Sequence, residues 1–387
     1  MMLKAFKTEL APTKEQTNKI KRTMGTCRFV YNFYLAHNKE VYEQEKRFVS
    51  GMEFSKWLNN DFLPNYPVYS WIKEVGSKAV KQSIMNGEKA FKKFFQGKAG
   101  FPHFKKKNDQ DVKAYFPKNN TTDWTVERYR IKIPTLGWVK LKEFGYIPIG
   151  ATVTGGTVSQ KANRYFVSVT VDMSETHQSP PPKAHGKGVD MGLKDFAIVS
   201  DGTVFKNVNK SSAIKRLEKR LKRTQRALSR KYQQRKKVKP ATKRGSNIDK
   251  NVLRVQKLHR RLANIREAYR ASVVSELVKT KPAYLTIEDL NVKGMMKNRH
   301  LSRSIANQGF YDFTVKLAHA CHKRHIELRE VPRFYPSSKL CSRCGHKKVK
   351  LSLSERVYHC ESCGLVIDRD LNAAINLQQA TEYITLP

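Results

Sequence analysis

The stretch GVDMGLKDFAIVSDGTVF, Gly188 to Phe205, decides how this 387-residue chain folds. It reads as an apolar strand carrying one acid, Asp190, then a second apolar strand that turns at Asp201-Gly202. A carboxylate inside an apolar strand is costly unless something cationic compensates it. The hairpin therefore predicts a sheet and marks a place for a site.

Two long basic helices follow, over roughly Ser212–Val238 and Asp249–Lys279, with a break at KPATKRGSN. The second carries an apolar stripe at Val252, Val255, Leu258, Leu262, Ile265 and Tyr269, in steps of three and four. Lys and Arg crowd the span Lys210–Arg266, against Glu218, Asp249 and, just beyond, Glu267. So few acids leave little scope for i,i+4 pairing, and the hairpin suits a groove that holds phosphate better than a merely solvated face. AYLTIEDL then reads as a buried strand ending at Glu288, Ile305–Arg324 as a helix, IELREVP as a strand and DRDLNAAINLQQA as a last helix. The order of these elements suits an RNase H-like mixed sheet.

Upstream, the proline-rich SPPPKAHGKG (Ser179–Gly188) marks the best domain boundary. Before it, Val112–Asp172 alternates with period two in RIKIP, WVKLKEF and RYFVSVTVDM, with turns expected at Leu136-Gly137 and Gly155-Gly156. Residues 2–10 resemble a strand. Thr13 and Gln16 have capping-box spacing, and Ile20, Met24, Cys27, Tyr31 and Tyr34 form the apolar face of the helix they open. Cys27 belongs to that stripe and is read as core. Helical segments continue to about Phe95, and FKKFFQGKAGFPHFKKK (Phe91–Lys107) interleaves aromatics with lysines.

Lys and Arg total 75 against 33 acids, a net charge of +42. A surface so self-repelling fits a polyanionic partner, nucleic acid before a membrane surface. No apolar run approaches a membrane span and the N-terminus lacks a signal-peptide core, so a cytoplasmic protein is expected. Four of the six cysteines form Cys341-x2-Cys344 and Cys360-x2-Cys363, fifteen residues apart, each pair followed by a glycine, Gly345 or Gly364. This spacing matches a zinc ribbon. Four thiolates complete a tetrahedron and leave no position for water, so the zinc would be structural. His346 and His359 are surplus to the set.

Three carboxylates stand at strategic places: Asp190 in a strand, Glu288 at a strand end and Asp370 at the start of the last helix. Hard oxygen ligands of this kind suit Mg²⁺ or Mn²⁺ in a two-ion phosphodiester hydrolysis. Asp289 would point to the opposite face from Glu288. Asp195 and Asp201 lie in or near turns, and Asp368 competes with Asp370.

Taken in order, GVDMGLKDFAIVSDG, LTIEDLNVKGM, PSSKLCSRCG and DRDLNAAINL, with RFVYN and FPHFKKK upstream, resemble the TnpB family of transposon-encoded proteins related to type V CRISPR effectors. The resemblance spans nearly the whole chain. It implies an RNA-guided DNA endonuclease that cuts beside a short target-adjacent motif, in a bacterial cytoplasm near the nucleoid. Its acidic triad would fall on Asp190, Glu288 and Asp370, and it would carry guide RNA, catalytic Mg²⁺ and structural Zn²⁺. Asp370 is preferred over Asp368 because the family's acid directly precedes the LNAA-type helix. The implied architecture is α+β and multidomain: a wedge-type β-barrel (1–10 and 108–178), a helical recognition insert (11–107), a linker (179–186), and a RuvC-like domain (187–340 and 364–387). That last domain contains the basic hairpin (210–279) and the ribbon (341–363). Lys78 and Gln82, one helical turn apart, and Lys105, Lys106 and Lys107 are the expected nucleic-acid contacts, with a monomer favoured. A guided repressor that does not cut and an RNase H-like transposase are the competing functions. The apparent intactness of the triad weighs against the first. Its order of Asp, Glu, Asp weighs against the second, for which Asp, Asp, Glu is usual.

Overall fold

The computed structural model describes residues 3–106, 112–118, 123–173, 185–237, 246–352 and 354–386. The chain divides into two units, Met1–Thr176 and His177–Pro387.

In the first unit β1 (Leu3–Ala11) leads into helices α1 (Lys14–Glu45), α2 (Gly51–Trp57), α3 (Leu63–Asn65) and α4 (Ser77–Phe95). Strands β2 (Val112–Pro117), β3 (Thr125–Val126), β4 (Arg130–Ile133), β5 (Gly137–Leu141), β6 (Val153–Lys161) and β7 (Arg164–Asp172) follow. The capping box forms as expected: Gln16 N donates to Thr13 Oγ1 at 3.2 Å and Thr13 N to Gln16 Oε1 at 3.0 Å. Gln16 Nε2 also donates to the carbonyls of Leu136 and Trp138, tying the helix start to the sheet. The stripe from Ile20 to Tyr34 is buried, Cys27 included.

The strands form one sheet in the order β2-β6-β7-β1-β5-β4-β3. The expected closed barrel is not found. Among the described residues β2 pairs only with β6 and β3 only with β4, so the sheet stays open at both edges. Closure depends on pairing between edge strands, which alternation within each strand does not encode. Gly155-Gly156 is not a turn either; it lies inside β6 beside a register shift. A Cβ on Gly156 would meet the Trp124 ring at 2.4 Å, so the glycines admit aromatic rings against the backbone. The β6–β7 reversal falls instead at Ala162, φ 57°.

The second unit contains β8 (Lys187–Met191), β9 (Asp195–Val199), β10 (Val204–Lys206), α5 (Ser212–Lys237), α6 (Ser246–Lys279), β11 (Tyr284–Glu288), α7 (Val292–Met295), α8 (Ser302–Gln308), α9 (Phe310–Arg324) and β12 (Glu327–Val331). It ends with β13 (Val357–His359), β14 (Val366–Asp368), α10 (Arg369–Gln379) and β15 (Ile384–Leu386). The sheet order is β10-β9-β8-β11-β12-β15. The first three strands are antiparallel, β8, β11 and β12 run parallel, and β15, which no sequence signal announced, pairs antiparallel with β12.

One face of this sheet buries Val189, Met191, Leu285, Ile287 and Leu328 against Val273, Leu277, Phe313 and Leu317 from α6 and α9. The basic hairpin α5–α6 has its own seam of Ile214, Leu217, Leu221, Leu258 and Leu262. The single helix expected over Ile305–Arg324 is broken at Gly309, φ 66°, where the Arg270 guanidinium packs 3.0 Å from the Cβ position. Among the described residues no helix is long and apolar enough to cross a membrane.

Candidate active site

The register of the sheet brings the predicted acids together. Gly188 on β8 pairs with Thr286 on β11, so two residues further along each parallel strand Asp190 stands level with Glu288. Both share the face opposite Val189 and Ile287. That face carries α10, seated directly on the β8 backbone: a Cβ at Gly188 would lie 2.0 Å from the Ala374 carbonyl oxygen. Asp370 is one turn back from Ala374 and Asp190 two residues on from Gly188, so the helix delivers its carboxylate beside the strand's.

The electrostatics record that closeness. Burial pushes the Asp190 carboxyl well above its ordinary range, and the charges of Glu288, Asp370 and, least of the three, Asp368 push it further, with Arg369 opposing. Burial also raises Glu288, against the Ser337 hydroxyl that donates to its Oε1. A cleft of about 200 Å³ opens over β8 and β9, lined in part by Asp190, Asp195, Asp370, Arg356 and Arg369. Glu288 flanks Asp190 on the other side, from β11.

Each rival acid has a partner of its own, although Asp195 also lines the cleft. Asp195 pairs with Lys206 at 3.3 Å, Asp201 with Lys187 at 2.7 Å and Asp289 with Arg333 at 2.6 Å. Asp368 is the N-cap of α10, its Oδ1 accepting from Asp370 N at 2.9 Å and Leu371 N at 3.1 Å. Asp370 is thereby left in the first turn with its carboxylate uncommitted to the cap.

Among the described residues, Cys341, Cys344, Cys360 and Cys363 are the one group of three or more potential ligands with donor atoms all within 4.8 Å of one another. The three carboxylates are spread more widely. The sulfurs of Cys341 and Cys363, and those of Cys344 and Cys360, are each 3.6 Å apart. A tetrahedron with zinc–sulfur arms of ~2.3 Å has edges of about 3.8 Å, so the four thiols fit Zn²⁺. Gly345 (φ 72°) and Gly364 (φ 69°) turn the two knuckles. The Cys363 amide, 3.5 Å from Cys360 Sγ, draws that thiol down to about 6. His346 and His359 are exposed and outside the cluster.

Sequence reasoning missed how the ribbon is fastened. Two asparagines one turn apart on α10 do it: Asn372 accepts from Ser342 N at 3.0 Å and donates to the Leu340 carbonyl at 2.6 Å. Asn376 donates to the carbonyls of Ser337 and Leu340, both at 2.7 Å. Both are buried. Polar residues at i and i+4 inside the apolar run LNAAINL were the available signal. Ser337, which touches Glu288, gave none.

Of the expected nucleic-acid contacts, Lys78 is exposed on α4. Gln82, Lys105 and Lys106 help line a cavity of about 500 Å³ with Arg28, Asn86 and Tyr115. Lys105 lies over the Tyr31 ring at 3.6 Å, and burial lowers its ammonium pKa. Lys107 lies outside the described residues.

Family models match along most of the chain: "Helix-turn-helix domain" over residues 1–47, "Probable transposase" over 166–299 and "Cas12f1-like, TNB domain" over 310–377. The first of these spans β1 and the single long helix α1 rather than two helices. Among solved structures, the Cas12f1–sgRNA–target DNA complex superposes with a TM-score of 0.55 at 15% identity, covering 92% of this chain and 81% of that one. The mixed α+β fold is thus similar to that of the Cas12f1 protein. "Putative RNA-guided DNA endonuclease InsQ" of Escherichia coli is 33% identical over 98% of this chain and 92% of its own length. TnpB-like protein L79 of Acanthamoeba polyphaga mimivirus is 33% identical over 49% of this chain and 36% of its own. The chain belongs to the TnpB family.

Proposed function

We propose that this chain is an RNA-guided DNA endonuclease whose catalytic carboxylates are Asp190, Glu288 and Asp370. The observation that carries the reading is the electrostatic burden on Asp190: burial and three neighbouring acids, Glu288, Asp370 and Asp368, all act against its charge. Such a cluster is stable as a trianion only with cations, and its hard oxygens suit Mg²⁺ or Mn²⁺. When bound, a pair of such ions would supply an activated water and stabilise the leaving 3′ oxygen. Asp190 and Glu288 hold their ligand oxygens on adjacent strands, Asp370 adds its own from the helix, and Arg356 and Arg369 meet the charge of a phosphodiester entering the cleft.

The second unit is then an RuvC-like, RNase H-type domain, in which the basic α5–α6 hairpin contacts phosphate and the ribbon holds structural zinc. In the first unit the open sheet acts as the wedge, and Lys78, Gln82, Lys105, Lys106 and Lys107 meet nucleic acid. The assembly works as a monomer in the cytoplasm, near the nucleoid. Guide RNA and target DNA supply sequence specificity by pairing.

The test is to sequence the RNA that copurifies, build a matching duplex beside a randomised flank, and compare wild type with Asp190→Ala. Cutting by wild type and binding without cutting by the variant are expected. Cleavage by the variant removes the site assignment, and absence of any discrete RNA removes the guided reading. Strand transfer assayed on transposon ends tests the transposase alternative that the matching model's description raises.

A further inference from the structure

Phe334 is 92% exposed, the most exposed large apolar side chain among the described residues. Among the described residues no aromatic ring or cation packs on it, whereas both its neighbours in sequence are tied down. On one side Arg333 Nη2 is 2.6 Å from Asp289 Oδ2. On the other, the Tyr335 ring packs with Val331, Leu377, Ala380 and Tyr383, and its hydroxyl donates to the Asn376 carbonyl at 3.3 Å. Two residues further, buried Ser337 donates its hydroxyl to Glu288 and accepts from Asn376 Nδ2 at its carbonyl. Turns bonded from Tyr335 N to Pro332 O and from Ser337 N to Tyr335 O, both 2.9 Å, set the backbone between these anchors.

The short loop from Arg333 to Ser337 is therefore an arch whose two feet stand on adjacent residues, Asp289 and Glu288, with Phe334 held outward. A slack loop would let a phenylalanine fold back onto apolar surface; here its neighbours are bonded on both sides and its ring stays exposed. The arch holds a benzyl group in water three residues from Ser337, whose hydroxyl meets Glu288, and such a group offers a flat apolar ligand a stacking surface. In a basic chain that handles polynucleotides, that ligand is a nucleobase, and stacking on an aromatic face requires it to be unpaired.

We propose that Phe334 is a stacking platform for an unpaired base of the DNA strand entering the acidic cleft, fixing the adjoining phosphodiester against Glu288. This rests on the reading of Glu288 as catalytic. One aromatic–base stack is large enough that its removal weakens strand engagement about tenfold.

The experiment uses the full chain with its copurified RNA and a matched duplex carrying 2-aminopurine at successive positions around the cut. It is read first in Ca²⁺ without cutting, then in Mg²⁺. The wild type should quench the probe at one or two positions. Phe334→Ala and Phe334→Leu should lose the quenching and cut about tenfold more slowly, while Phe334→Trp should retain both. Unchanged quenching and cleavage in Phe334→Ala overturn the platform, as does quenching by Phe334 of a probe placed in the RNA and not in the DNA. Wild-type cleavage by Glu288→Gln overturns the site reading itself. If Glu288→Gln is inactive while Phe334→Ala behaves as wild type, the platform alone fails.

Discussion

Replacing Gly188 with alanine drives a methyl group into the backbone of α10. The added Cβ would lie 2.0 Å from the Ala374 carbonyl oxygen and 2.5 Å from the Gln378 amide nitrogen. Ordinary contact begins near 3.4 Å, so the helix must withdraw by about 1.4 Å, because main-chain atoms have no rotamer into which to escape. Overpacking of this kind costs ~1–3 kcal/mol, a fall in melting temperature of roughly 2–12 °C for a domain this size. The functional loss is larger. Asp370 rides on the same rigid helix one turn away and withdraws with it, and a catalytic group displaced by ~1 Å loses about a hundredfold in rate. Guided cleavage should therefore fall about 100-fold while copurified RNA stays at the wild-type level. Gly25→Ala is the control: it lies in α1 with nothing within 4 Å of its Cβ position, and should be neutral or gain ~0.5–1 kcal/mol. Wild-type cleavage and melting in Gly188→Ala would refute the seating of α10 on β8.

Asp370→Ala and Asp368→Ala should separate, the first abolishing cleavage and the second losing only the helix cap, about 1 kcal/mol by denaturant titration; equal loss of activity would return Asp368 to contention. Asp190→Asn should stabilise the metal-free protein at neutral pH. The carboxyl's folded pKa lies above its unfolded value, so the fold favours the proton, and stability falls as pH rises from the unfolded pKa through the folded one. Asparagine escapes that loss, and the gap should close in titrations below about pH 4; a parent more stable than its variant at pH 7 contradicts the burial argument. Elemental analysis should find one zinc per chain in the wild type, and Cys341→Ser should lose it and open the C-terminal region to protease. A zinc-free wild type that resists protease equally well would remove the metal from the fold.

Much of this arrangement could be read from local pattern. The Thr13–Gln16 box, the Ile20–Tyr34 stripe, the strand ending at Glu288 and the knuckle spacing are set by neighbours within a few residues, which periodicity and turn chemistry report well. What escaped depends on partners far along the chain. Whether β2 meets β3 is a question of edge pairing, and the answer is an open sheet. Gly155-Gly156 resembled a turn because glycine serves both reversals and close approach, and only the Trp124 ring tells which. Gly309 breaks a helix by taking the left-handed conformation, φ 66°, with Arg270 from another element packed on its flank. The fastening of the ribbon through Asn372 and Asn376, and the Ser337 hydroxyl on Glu288, join residues separated by 30 to 50 positions, for which a single sequence offers little beyond polar side chains in an apolar run.

The acids converge from positions 190, 288 and 370, and β8 finds its parallel neighbour only after the whole α5–α6 hairpin has been made. During synthesis, then, a ribosome-bound chain can form the first unit long before α10 emerges to complete the cleft. A growing polypeptide of this kind can finish its first unit while the three acids are still far apart. They come together only when α10 docks on β8, so the order of translation sets the order in which the cleft is assembled.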